Sequence, residues 1–118
     1  MTENSAIGIV TDSASQIPKA LADQLDVTVV PVVVAIDGIE YREGVDLEPD
    51  DFWARIVDGE LPEVTTSQPS PGAIAEVYRS LEKRGITEIV SIHVGAEVSG
   101  TVNSATLAAD TVDANVIV

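Results

Sequence analysis

The stretch SPGAIAEVYRSLEKRGITEIVSIHV, residues 70–94, decides the fold. Ser70 is placed to cap a helix, and Pro71 and Gly72 to start it. Ile74, Val77, Tyr78 and Leu81 then fall at i, i+3, i+4 and i+7, which is one apolar stripe. Lys83 and Arg84 complement the helix dipole at its end, and Gly85 stops it. Glu88 to Val94 follows as a strand, rich in isoleucine and valine.

The same alternation continues on both sides. Downstream, Ser99 is placed to cap a helix with Val102, Ala105, Ala109 and Val112 on one face, and Asn115–Val118 begins another strand. Upstream, Ile7, Ile9 and Val10 open a short strand that ends at Thr11-Asp12-Ser13. Pro18 suits the first turn of a helix whose stripe is Ile17, Leu21 and Leu25. Val27–Ile36 is dense in valine and reads as one strand buried on both faces, with a bulge or an unpaired position at Pro31. Asp37-Gly38 marks a tight turn, and Ile39–Arg42 returns as a short edge strand. Pro49, Asp50 and Asp51 with Phe52, Ile56 and Val57 predict a short helix stopped at Gly59. Strands alternating with helices predict an α/β domain over residues 1–118, a mainly parallel sheet flanked by helices. The strand-like end at Val118 predicts that a further C-terminal domain is missing from the chain.

Composition narrows the functions. A length of 118 residues suits one domain, and 45% hydrophobic with 22% charged residues is a globular balance. Six Lys and Arg against 20 Asp and Glu give a formal net charge of -14, which repels phosphate backbones and anionic lipid surfaces. Aromatic residues at 3% leave no stacking platform for single-stranded nucleic acid. No cysteine and a single histidine exclude thiolate and multi-histidine metal sites. The opening MTENSA lacks signal-peptide character, and the longest apolar run, Val29–Ile36, falls well short of the roughly 20 residues that span a bilayer. A soluble cytoplasmic protein is expected, with no nucleic-acid partner and no stable membrane insertion. Residues 37–63 hold ten acids and two bases, a net of -8, read as a solvated surface.

Ligands of open parallel sheets sit beyond the carboxyl ends of the strands. Three hydroxyl-rich segments are placed there: Thr11-Asp12-Ser13, Thr65-Thr66-Ser67-Gln68-Pro69-Ser70, and Ser99-Gly100-Thr101. Each is explained by helix capping alone; converging, they offer uncharged donors to a carboxylate or phosphate inside an acidic protein. P-loop, dinucleotide and nucleophile-elbow motifs are absent. His93 alternates onto the same face as Ile89 and Ser91 and reads as a packed histidine. Asp12 reads as a loop carboxylate accepting backbone N–H groups. An enzyme acting on a small carboxylated or phosphorylated metabolite at these loops would have only Asp12 and His93 to work with. An interaction module docking through the acidic 37–63 stretch is a third reading.

At these same segments the chain resembles the N-terminal domain of the DegV family. The resemblance rests on IVTDSASQIP at 9–18, VVPVVVAIDGIEYREGVDLEPDDFW at 29–53, TTSQPSPG at 65–72 and EIVSIHVGAEVSGTVNSA at 88–105. It implies a bacterial protein that binds one long-chain fatty acid, needs no cofactor, and performs no chemistry itself. It further implies that the carboxylate is presented to a separate ATP-dependent kinase subunit for acyl phosphate formation. Thr66 and Ser99 match the family's hydroxyls on the carboxylate, while Asp12, Ser13, Ser67, Gly100, Thr101 and Ser104 match positions around the head-group pocket. Gly95-Ala96 stands where many members carry Ser-Ser. Family members are more than twice as long, and their second domain also lines the site.

Overall fold

The structure is a computed structural model that describes residues 7–46, 50–51, 53–54, 63–93 and 100–118. Its strands are β1 (Ile7–Asp12), β2 (Val27–Val30), β3 (Val33–Ile36), β4 (Ile39–Arg42), β5 (Val64–Ser67), β6 (Glu88–Ile92) and β7 (Asn115–Ile117). The helices are α1 (Lys19–Leu25), α2 (Pro71–Lys83) and α3 (Thr101–Ala109), and residues 50–51 and 53–54 are also helical. Four strands form a parallel sheet in the order β2-β1-β6-β7. The other three form an antiparallel sheet in the order β4-β3-β5.

The valine run is where sequence and structure part. It is two strands in two different sheets, not one strand with a bulge. β2 pairs with β1 in the parallel sheet, and β3 pairs with β4 and β5 in the antiparallel one. Pro31 sits at the exchange, where its missing N–H has no ladder to serve. Val32 is held at both backbone atoms: its N–H donates to Ser13 Oγ at 2.8 Å, and its carbonyl accepts from Glu43 N–H at 2.9 Å. The turn after β3 is the expected one. Asp37 and Gly38 have φ of 51° and 85°, the two positive values that a type I′ hairpin needs.

α2 matches the sequence expectation closely. Ser70 Oγ accepts the Ala73 N–H at 3.1 Å, and Ile74, Ala75, Tyr78 and Leu81 are buried. Gly85 follows with φ of 87°. These side chains pack with Val10, Val30 and Ile89 of the parallel sheet and Ala105 and Ala108 of α3 into one core. Burying each large aliphatic side chain contributes about 1.5–3 kcal/mol. Gly8 lets the layers approach, since a Cβ there would stand 3.0 Å from Leu81 Cδ1 and 3.2 Å from Ile86 Cγ2. Glu82 ties α2 to the turn before β7, with Oε2 accepting the N–H groups of Asp113 at 2.9 Å and Ala114 at 2.7 Å.

Two stripes differ from expectation. On α1 the buried residue is Ala22, while Leu21 and Leu25 are exposed. The side of this short helix that meets the rest of the described structure is that of Ala22, which borders the cavity, while Leu21 and Leu25 are on neither the core nor the cavity wall. On α3 the predicted Ala105 is buried and Ala109 and Val112 pack against the core, but Thr101, Ser104 and Ala108 are buried as well, so the inward face is broader than predicted and includes the small residues that pack close to α2. The predicted cap Ser99, strand residue Val94 and the Phe52 and Ile56–Gly59 part of the short helix lie outside the described residues.

Candidate functional site

The parallel sheet reverses its order between β1 and β6, so the topological switch point lies at the ends of those strands. Asp12 closes β1 and His93 follows β6, and they meet there: His93 Nδ1 is 2.6 Å from Asp12 Oδ2. His93 Nε2 is in turn 2.6 Å from Ser91 Oγ, and the Tyr78 hydroxyl donates to Ser91 Oγ at 2.7 Å. Asp12 Oδ1 accepts the Ala14 N–H at 2.9 Å, capping a short helical turn at Ser13–Ser15. Thr11 Oγ1 reinforces the junction by donating to the Ile92 carbonyl at 2.8 Å. Burial pushes the Tyr78 phenol above its ordinary pKa, and the hydrogen bond with Ser91 pulls it the other way.

Serine, histidine and aspartate in this order resemble a hydrolase triad, but the environment does not. Ser91 is 2% exposed, Tyr78 is completely buried, and the His93 side chain is enclosed as well. A serine nucleophile needs room for a carbonyl carbon at its oxygen, and the Tyr78 hydroxyl fills one side of Ser91. The arrangement is a core polar network. It agrees with the expectation of a packed histidine and of a carboxylate accepting a backbone N–H.

The open space lies elsewhere, between β2 and the antiparallel sheet. A cavity of about 910 Å³ is bounded by α1, β2, the turn after β4 and the inner face of β5. Ile17, Val27, Val29, Val34 and Trp53 give it apolar walls, and Ser13 and Thr66 bring hydroxyls. Ser13 Oγ already accepts the Val32 N–H, so its proton is left for a ligand. Lys19, Asp23, Asp26 and Glu43 also border the space, with Lys19 3.7 Å from Asp23 and Asp26 3.0 Å from Arg84. The hydroxyl donors thus sit in a wall whose charges are largely balanced in pairs.

Of the sequence candidates, the structure brings Ser13 and Thr66 to this cavity. Ser67 is the next residue on β5, where alternation turns it to the opposite face from Thr66. Asp12 stands behind Ser13, buried against His93. Thr101 and Ser104 are buried on α3, and neither is on the cavity wall. Gly100 touches the TTSQPS loop instead, with the Gln68 side chain lying across it. Ser99 and Gly95-Ala96 fall outside the described residues. Sequence reasoning missed the apolar walls, which share no motif or period, and it missed the link from His93 through Ser91 to Tyr78. Among the described residues no group of three His, Cys, Asp or Glu could hold a metal, and no helix is long and apolar enough to cross a membrane.

Comparison with known proteins adds a second line of support. A family model described as "Uncharacterised protein, DegV family" matches residues 6–118. A DegV domain-containing protein of Listeria innocua is 38% identical over 111 residues, covering 93% of this chain and 38% of its own length. The chain therefore spans about two fifths of the curated relatives it matches. Among solved structures, a DegV family protein from Thermus thermophilus, described for its fatty acid binding, superposes with a TM-score of 0.80 at 38% identity. It covers 94% of this chain and 39% of its own. A stearic acid-binding protein from Eubacterium ventriosum superposes with a TM-score of 0.86 at 37% identity, covering 94% and 40%. In sequence over nearly its whole length, and in the order and pairing of its strands, this chain belongs to the DegV family.

Proposed function

We propose that this protein binds a long-chain fatty acid, with the acyl chain against the apolar walls of the cavity and the carboxylate at its hydroxyls. The observation that carries this reading is the cavity itself, about 910 Å³ of largely apolar wall in which Ser13 and Thr66 present hydroxyl groups. Burying an acyl chain yields about 0.8 kcal/mol per CH₂, so a sixteen-carbon chain offers roughly 10 kcal/mol before the entropic costs of binding. Neutral donors hold the carboxylate without a fixed cation, which suits a protein of net charge -14. In this reading Ser99 of the SGT segment joins Thr66 in hydrogen-bonding the carboxylate, with Gly100 next to it in sequence. The fatty acid binding described for the relatives from Thermus thermophilus and Eubacterium ventriosum supports the same ligand.

The protein contributes orientation and not chemistry. It holds the carboxylate so that a separate ATP-dependent kinase subunit, acting in trans in the cytoplasm, forms the acyl phosphate. Mass spectrometry of the organic extract from the purified, denatured complete protein tests the binding. A stoichiometric long-chain fatty acid is expected. An empty protein that also takes up no added fatty acid overturns the reading. Acyl phosphate that appears only when ATP, the kinase subunit and the loaded protein are combined tests the second step.

A further inference from the structure

The head-group hydroxyl of Ser13 is held by a chain of buried polar contacts that begins three elements away. Tyr78 on α2 donates to Ser91 on β6. The Asp12 carboxylate, which only accepts, places the imidazole proton on Nδ1 and leaves Nε2 to accept the Ser91 hydroxyl, 2.6 Å away. A ring that accepts at Nε2 carries its proton on Nδ1, and Nδ1 faces the Asp12 carboxylate at 2.6 Å. The other Asp12 oxygen caps Ala14, the residue after Ser13. Ser13 Oγ then receives the Val32 N–H, which fixes its lone pair and leaves its proton without an acceptor among the described residues. The side chains of Tyr78, Ser91, His93 and Asp12 lie out of solvent, where a misdirected hydrogen bond is costly.

We propose that His93 is a positioning residue for the ligand. Through its Nδ1–H it orients Asp12, and Asp12 holds the Ser13–Ser15 turn so that the Ser13 hydroxyl proton faces the cavity. The role rests on the fatty acid reading of that cavity. It assigns a purpose to a buried Asp–His–Ser–Tyr series that the binding of a ligand at the cavity wall would not otherwise require. His93 touches no ligand itself.

The test separates the two ends of the imidazole. His93→Asn retains a side-chain N–H near the Nδ1 position and can still reach Asp12. His93→Gln is longer by one methylene and carries its N–H toward Ser91, leaving Asp12 unsupported. Both are polar and uncharged, so neither buries a new charge, and the Ala14 exchange readout separates the loss of the Asp12 contact from a change in packing. Fatty acid affinity is read from the fluorescence of Trp53, the single tryptophan, which lines the cavity. His93→Asn is expected within about 3-fold of wild type and His93→Gln weaker by about 10-fold, with thermal melts showing both folded. Amide hydrogen exchange gives a reading independent of any ligand: protection at Ala14 is expected to survive in the Asn variant and to fall in the Gln variant. Equal affinities in all three proteins, or unchanged Ala14 protection in His93→Gln, overturn the proposal. Should the Gln variant fail to fold, the ¹⁵N spectrum of the wild type decides, since a neutral His93 with its proton on Nε2 contradicts the proposed series. A wild type that binds no fatty acid defeats the functional reading, while Ala14 exchange and the tautomer still decide the positioning.

Discussion

The Gln68 side-chain amide lies across Gly100 so closely that a Cβ at Gly100 would stand 2.6 Å from Nε2 and 2.8 Å from Oε1. The loop after β5 and the start of α3 meet through a residue whose missing side chain makes room for an amide. In Gly100→Ala the group that must yield is the free end of a flexible side chain, so stability changes by less than about 1 kcal/mol. The Gln68 amide is displaced all the same, and because the proposed function draws the carboxylate contacts from the two segments that meet here, fatty acid binding is expected to weaken several-fold. A double-mutant cycle checks the contact: in a Gln68→Ala background, Gly100→Ala should have almost no further effect on binding.

Thr66 offers the cleanest test of the head-group assignment, because it is exposed and its removal disturbs no core. Thr66→Val keeps the shape and is expected within about 0.5 kcal/mol of wild type in thermal stability. Losing a hydrogen bond to a carboxylate is worth about 1.5–3 kcal/mol, so Kd for fatty acid should rise at least about 10-fold. Ser13→Ala should weaken binding too, with a stability loss of about 1 kcal/mol from the abandoned Val32 N–H. Isothermal titration with a long-chain acid and parallel melts distinguish the two patterns.

Gly8 concerns the fold alone. A methyl group there meets Leu81 Cδ1 at 3.0 Å and Ile86 Cγ2 at 3.2 Å, between strand and helix layers that have little slack. Gly8→Ala is expected to destabilise by about 1–3 kcal/mol through overpacking. Leu81→Val, which withdraws the nearest methyl, should recover part of that loss when combined with it. Urea unfolding of the three variants measures this.

Tyr78 links stability to alkaline pH. Burial raises its folded-state pKa, so the folded protein keeps the phenol proton more tightly than the unfolded chain does. The contribution is fully present below about pH 10, the ordinary tyrosine value, and is lost as pH rises from there through the raised folded value. Tyr78→Phe removes this dependence at a cost of about 1 kcal/mol near neutrality, from the unmade bond to Ser91. Denaturant melts at about pH 8 and pH 10.5 should show a larger loss in wild type than in the variant.

Much of this was legible in the residues. α2 could be read from Ser70 to Gly85 because cap, stripe and stop signal agree, and the structure keeps all three. The valine run could not be divided from composition, since a strand rich in valine looks the same in either sheet. Only Pro31 marked the break. α1 misled for a physical reason: a stripe says which side chains align, and Leu21 and Leu25 align toward a face that none of the described residues buries. At the site, Ser13 and Thr66 stood in hydroxyl-rich segments at strand ends, whereas Ile17 and Val34 read only as stripe and strand residues, Trp53 carries no signal, and the three become one wall only when both sheets are in place. Alternation placed Ser91 and His93 together, but Asp12 joins them only through the β1–β6 register.

The β3–β5 pairing dictates when the cavity exists, since Val34 of β3 and Val64 and Thr66 of β5 line it. Val34 and its partner Thr66 are 32 positions apart, and closing a loop of that length costs about 3 kcal/mol of chain entropy before any contact repays it. The β3–β4 hairpin closes over a two-residue turn and is expected to form early, whereas the parallel sheet assembles late. A pocket walled by both sheets is then completed only after the rate-limiting barrier. Fatty acid present during refolding should leave the folding rate unchanged and should slow unfolding instead, which stopped-flow traces with and without ligand can separate. Ligand occupancy would then set how long the protein lasts rather than how fast it is made.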